Sequence, residues 1–174
     1  MADVAKLLPI IVEWESDKFV NNLLDHGGPT KEGITLATWK SVGYDKDGDH
    51  DIDVDDIRLL DRNDLLFILD KYYWDRWKAD QIQNQSIANI LVDWVWGSGK
   101  WCIILPQRIL KVMDDGKVGQ MTLDAINTAD QSGLFNALWQ AREVFIESIV
   151  SRDPSQETFL LGWLNRLKDF KFTP

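Results

Sequence analysis

The chain has 174 residues, of which 45% are hydrophobic and 27% charged, and its net charge is −9. That length holds one domain or two small ones sharing a core, and the composition excludes both a disordered chain and a membrane-embedded one. Nineteen basic residues against 28 acidic ones speak against nucleic acid, whose phosphates need clustered basic side chains.

The first predicted element is a helix from Val4 to Glu15, with an apolar stripe of Leu7, Leu8, Ile11 and Val12 at helical spacing. A polar, glycine-bearing segment from Ser16 to Glu32 follows, broken by Gly27-Gly28-Pro29. No hairpin signal is convincing, although a small ribbon fits between Ser16 and Thr35. A short helix is expected over Ile34 to Val42. After an aspartate-rich stretch come Val54 to Leu60, then Asn63 to about Trp77 behind a capping Asp61 or Asn63.

Ser86 to Trp96 is very apolar and reads as the central helix, closed by Gly97-Ser98-Gly99. Trp101 to Val112 follows, with Pro106 as a kink or a late start. Thr122 caps a short helix to Thr128, and Asp130 or Ser132 caps a long one over Leu134 to Arg152. Asp153-Pro154-Ser155 breaks the chain before a last helix, Gln156 to Phe170. The fold class is all-α, divided near residues 99–102 into parts 1–100 and 101–174.

Chemistry is restricted by what is scarce. A single cysteine, Cys102, excludes an internal disulfide and a cysteine-built zinc site, and His26 and His50 are the only histidines. Nine tryptophans exceed what a core of this size needs and suggest a cleft for flat ligands such as sugars, although core packing accounts for most of them. Trp14, Trp39, Trp74 and Trp101 fit either role. The apolar run Leu7 to Val12 is too short for a membrane span or a secretory signal. Synthesis in the cytoplasm is therefore expected, as is a monomer with no membrane insertion.

Residues Asp45 to Asp56 hold seven aspartates and one lysine, which is −6 of the net −9. The stretch matches a twelve-residue calcium loop. Asp45, Asp47 and Asp49 fall at positions 1, 3 and 5; Asp51 gives a backbone carbonyl from position 7, Asp53 a side chain or a water from position 9, and Asp56 closes the loop at position 12. Calcium is a hard cation that takes six to eight oxygens, and alternating carboxylates supply them. Ile52 fits as the anchor to the core. His50 replaces the usual glycine at position 6, and Asp replaces Glu at position 12. The segment resembles the calcium loop of dockerin modules, which also ends in Asp and runs into a helix rich in Ile and Leu (here Ile57, Leu59 and Leu60). A structural Ca2+ is expected.

At about 100° per residue, the stripe of the first helix covers a sector roughly 140° wide. Glu15 falls near its middle and Glu13 points away. A carboxyl desolvated at the end of such a face is held protonated, as a general acid must be. The alternative is that Glu15 frays into solvent at the helix end.

The run Trp14-Glu15, then Asp25-His26-Gly27-Gly28-Pro29-Thr30-Lys31-Glu32-Gly33-Ile34-Thr35, resembles glycoside hydrolase family 108. These are bacterial and phage N-acetylmuramidases once described as secretion activators. The likeness continues through Tyr72-Tyr73-Trp74-Asp75 and the stretch from Asp93 to Gly99. Asp115-Gly116-Lys117-Val118-Gly119-Gln120-Met121-Thr122 is similar to a turn of peptidoglycan-binding helical domains. The acidic loop resembles an insert carried by some family members.

The resemblance implies a lysozyme-like catalytic part packed on a peptidoglycan-binding-like bundle. It implies hydrolysis of the β-1,4 bond between N-acetylmuramic acid and N-acetylglucosamine, on peptidoglycan glycan strands and without an organic cofactor. Glu15 matches the catalytic glutamate. Asp25 and Thr30 match the residues that support the oxocarbenium-like transition state and position water. Thr35 is an alternative to Thr30, and Asp25 also reads as a turn residue. Thr35, Tyr73 and Trp74 are expected at the substrate. Gln107 and Arg108 are candidates for contact with stem peptides, and Gly162 to Arg166 reads as helix docking between the two parts.

Two glycines follow the glutamate in the family, where this chain has Ser16-Asp17-Lys18. That departure keeps open a second reading, a catalytically inactive peptidoglycan-binding or secretion-accessory protein. Acting on the wall after release or non-classical export fits either a phage lysin or a host autolysin.

Overall fold

A computed structural model describes residues 1–15, 18–20, 28–99 and 101–174. Among these residues it consists of helices and one two-stranded ribbon, the all-α architecture that the pattern predicts.

The expected first helix is split. A 3-10 turn over Val4–Lys6, capped by Asp3, precedes α1, Leu8–Trp14. Pro9 is the reason: it lacks an N–H and is tolerated only in a helix's first turn. Leu7 and Ile11 are fully buried. Glu15 lies one residue past the helix in an extended conformation (φ −96°, ψ 133°), its N–H still donating to the Ile11 carbonyl.

The ribbon pairs β1, Thr30–Lys31, with β2, Ile34–Thr35, in the register Thr30 to Thr35 and Lys31 to Ile34. Glu32 and Gly33 form its turn, both with positive φ (54° and 74°), which matches the twist of a tight hairpin. Val20 bridges to Thr30 on the other edge. Thr35 then caps α2, Leu36–Val42.

Asp53 and Asp56 form a capping box on α3, Val54–Leu59, and Asp61 and Asp64 form another on α4, Arg62–Ile68. Asp61, not Asn63, is the cap. The rod continues as a π-helical stretch, Leu69–Trp74, into α5, Asp75–Trp77. Leu69 and Trp74 are five residues apart, about 140° on an α-helix. The wider turn lets both be fully buried.

The central helix α6, Gln85–Ser98, starts at Asn84, runs through Gly97 and stops at Gly99 (φ 68°). It packs against α7, Trp101–Ile109, and against the long α9, Gln131–Arg152, on which α10, Glu157–Asp169, is laid. Between α7 and α9 lies α8, Gln120–Thr128, which begins two residues before the expected Thr122 cap. Thr122 is instead buried within its first turn. Asp130 caps α9 through the Gly133 N–H, so that helix starts three residues earlier than its apolar pattern suggests.

One hydrophobic cluster runs from Ala2 to Phe170 and includes side chains of both halves. Trp39, Trp74, Trp77 and Trp94 lie wholly inside it. Trp14 and Trp139 are tied by their indole N–H groups to α10, at Asp169 Oδ2 (2.7 Å) and the Leu167 carbonyl (3.1 Å). Core and docking thus account for six of the nine tryptophans. Cys102 is buried too, and burial pushes its thiol up to about 12.

Candidate active site

The end of α1 at Trp14 sets the position of Glu15. Just beyond α1, its extended backbone turns the side chain toward α6 and α10. Oε1 accepts two hydrogen bonds, from the Trp96 indole Nε1 (2.8 Å) and from Arg166 Nη1 (2.8 Å). The apolar seat expected for Glu15 is thus a polar one, with an aromatic donor and a cation. Oε2 is turned toward the ribbon. A Cβ added at Gly33 would lie 2.8 Å from Oε2 and 3.0 Å from Trp96 Cζ2. Only a residue without a side chain lets the ribbon close over this carboxylate, and only glycine takes φ 74° there without strain.

Behind Glu15 lies a buried ion network. Asp93 of α6 is fully buried and receives Arg142 Nη2 from α9 (2.5 Å) and Arg166 Nη2 from α10 (2.6 Å). Burial would push the Asp93 carboxyl up, but the charges and hydrogen bonds of Arg142 and Arg166 outweigh it and hold it below the usual carboxylate range. The two guanidiniums that meet the Asp93 carboxylate make its burial tolerable.

Glu15, Arg142 and Arg166 face a cavity of about 360 Å³, within the size range of a small-ligand site. Glu15, Trp96, Gly97 and Ser98 line it from one side, and Arg142, Ile146, Ile149, Trp163 and Arg166 from the other. Tyr73 packs against Trp96 with the rings tilted by 51° and 4.6 Å between their centres. Burial pushes the Tyr73 hydroxyl above its usual value, Arg76 opposes this, and the negative charge of Glu15 adds to it.

The other expected site residues are distributed differently. Asp25 lies outside the described residues, as do Ser16 and Asp17. Thr30 is in the ribbon beside Glu15, with its hydroxyl donating to the Gly28 carbonyl (3.0 Å). Thr35 is committed to capping α2, where its Oγ1 accepts from the Thr38 N–H (3.2 Å). Trp74 is a correction: it is fully buried and its indole donates to Asp80 Oδ1 (2.7 Å), so no ring face is free for a sugar.

Gln107 is corrected as well. It is wholly buried and braces the turn at Asp115-Gly116-Lys117, accepting from the Gly116 N–H (2.9 Å) and donating to the Lys117 carbonyl (2.9 Å). Arg108 pairs with Asp114 on the surface. Trp96, Trp163, Arg166 and Asp93 were not expected at the site. Asp93 did carry a signal, because an acid inside so apolar a helix needs a buried cation.

The acidic loop is a tight turn held by its own carboxylates. Asp45 accepts from the Gly48 N–H (2.6 Å) and the His50 N–H (2.9 Å), which hold its carboxyl low. His50 takes φ 78°, the left-handed conformation that position 6 demands. Carboxylate oxygens of Asp45, Asp47 and Asp49 approach within 4.8 Å of one another, and so do those of Asp51, Asp53 and Asp56. Asp56 accepts from the Lys46 N–H (2.5 Å) and the Asp53 N–H (2.7 Å), closing the loop onto α3. Asp51 is raised, chiefly by the charge of Asp49. Hard oxygen donors at this spacing fit calcium.

The sequence profile of the family described as Glycosyl hydrolase 108 matches residues 8–99, and that of the "Predicted Peptidoglycan domain" matches residues 102–168. No curated protein sequence matches the chain. Among solved structures, that of Brucella abortus SagA superposes with a TM-score of 0.76 over 96% of this chain and 90% of that one, at 24% identity. The likeness is one of fold. Glu15, Gly33 and Trp96 lie in the first matched segment, and Arg142, Trp163 and Arg166 in the second.

Proposed function

The chain belongs to the glycosyl hydrolase 108 family, and from that premise we propose that it is an N-acetylmuramidase with Glu15 as its general acid. Its substrate would be the glycan strand of peptidoglycan, and the bond cut the β-1,4 linkage from N-acetylmuramic acid to N-acetylglucosamine. The observation that carries this reading is the placement of Glu15, whose carboxyl group lines a cavity shared by the two matched segments. Both described donors converge on Oε1. Oε2 would then be the oxygen that carries the proton to the glycosidic oxygen. Trp96 and Trp163 would offer apolar faces to the sugar rings. Asp25, and Thr30 from the ribbon, would support the oxocarbenium-like charge and hold water.

We further propose that the acidic loop binds a structural Ca2+ through Asp45, Asp47 and Asp49, the Asp51 carbonyl, Asp53 and Asp56. Its left-handed His50 and converging carboxylates support this. The ion would relieve repulsion among the aspartates and take no part in bond cleavage.

Digestion of purified sacculi, followed by analysis of the released muropeptides, tests the main reading. Wild type should produce new reducing ends at muramic acid. Glu15→Gln should lose about 10²–10⁴-fold in rate, the usual worth of a general acid. Sedimentation with intact sacculi and no cleavage by wild type would instead establish an inactive binder.

A further inference from the structure

We propose that Arg166 is a positioning residue for Glu15, so that the C-terminal segment completes the catalytic site and does more than attach it to the wall. The inference rests on the reading of Glu15 as the acid.

Glu15 lies past the last turn of α1, where no helical neighbour fixes its side chain. Its direction is set by its two donors. Trp96 supplies one from α6, and Arg166 supplies the other from α10, 151 residues away in sequence. Arg166 is itself fixed. Its Nε and Nη2 grip Asp93 Oδ1 at 3.1 and 2.6 Å while Nη1 reaches Glu15 at 2.8 Å. Asp93 is in turn held on its other oxygen by Arg142 Nη2. The chain of contacts Arg142, Asp93, Arg166, Glu15 therefore transmits the geometry of three packed helices to one carboxylate. A guanidinium can do this because its donors form a rigid planar fork, whereas an ammonium is a single point.

Docking of α10 does not need the contact with Glu15. Trp139 Nε1 holds the Leu167 carbonyl, Trp14 Nε1 holds Asp169, and Asn84 Nδ2 holds the Thr173 carbonyl (3.0 Å). Arg142 already neutralises Asp93. What Arg166 adds is a fixed position for Oε1 and, through it, the presentation of Oε2 beside Gly33.

The test compares full-length wild type, Glu15→Gln, Arg166→Lys and Arg166→Gln. Its readouts are turnover of soluble glycan strands, sedimentation with sacculi, thermal melting and the NMR resonance of the Trp96 indole N–H. Arg166→Lys should bind sacculi as wild type does and keep KM within about twofold. Its kcat should fall about 100-fold, the usual cost of a misplaced reacting group. Its Trp96 indole resonance should move from the wild-type position, as it should in Glu15→Gln.

A folded Arg166→Lys with wild-type kcat, or one whose Trp96 resonance stays in place, overturns the proposal. So does unfolding of both Arg166 variants at the assay temperature, which would make the residue a structural one. Wild-type turnover by Glu15→Gln would instead overturn the reading of the acid. The indole resonance decides the positioning role even if wild type cleaves nothing.

Discussion

Gly33 and Asp93 show how single residues constrain this site from opposite sides. Gly33→Ala would set a methyl group against the Glu15 carboxylate at 2.8 Å and force φ 74° on a residue with a Cβ. The left-handed conformation alone costs roughly 1–2 kcal/mol. Melting should fall accordingly, and turnover should fall by more than that loss explains, because Glu15 must move. Asp93→Asn removes the anion between two buried guanidiniums. Breaking such a pair costs about 3–5 kcal/mol, which chemical denaturation would measure. The same carboxyl sets a pH dependence. Its folded-state value lies below the usual one, so its contribution is complete above an unfolded value of about 3.9 and is lost as pH falls through the folded value. Melting midpoints should drop below about pH 4 in wild type, and this part of the drop should be missing in Asp93→Asn.

At the level of elements, the ribbon and the acidic loop each present a tight turn that local sequence encodes and the rest of the molecule uses. The Glu32-Gly33 turn brings a strand end against the Glu15 side chain. The loop from Asp45 to Asp56 turns on Gly48 and His50 and feeds directly into α3, and Ile52 packs against the core. With calcium at a hundred times its dissociation constant, the gain in stability would be about 2.7 kcal/mol. For a chain of this size that raises the melting midpoint by roughly 5–10 °C. Chelator should reverse the rise, and Asp45→Asn should blunt it. Below the melting range chelator should leave glycan cleavage unchanged, since no loop carboxylate lines the cavity beside Glu15. A loss of turnover at full folding would assign the loop a part in the chemistry.

Across the whole molecule the two matched segments share one core and one cavity. The hydrophobic cluster joins Leu7 and Ile11, at and within α1, to Leu138 of α9 and Leu167 of α10, and the cavity has walls from both segments. Calorimetry should therefore record one unfolding transition, with equal calorimetric and van't Hoff enthalpies. Residues 1–100 made alone should not fold, because Asp93 would be buried without Arg142 and Arg166 and the apolar face of α6 would lack α9. Two separated transitions would show that the segments are independent. No helix among the described residues is long and apolar enough to cross a membrane.

The sequence by itself determined the helical pattern, the acidic loop and the family likeness, because each is written in local spacing. Apolar residues at helical intervals mark α6, and alternating aspartates mark the loop. Trp14-Glu15 followed by the glycine-rich run carries the family likeness. Tertiary structure decided everything that depends on which distant side chains meet. Pro9 delayed the start of α1, and at its other end the chain turns extended at Glu15, so the wheel argument that placed Glu15 on an apolar face no longer applied there. Arg166 and Trp96 then made its surroundings polar. Trp74 carried a family-like signature yet lies in the core, since burial depends on the rotation of the rod that the π-helical stretch introduces. Local spacing reports the face of one element, whereas an ion network across α6, α9 and α10 exists only once those faces have packed.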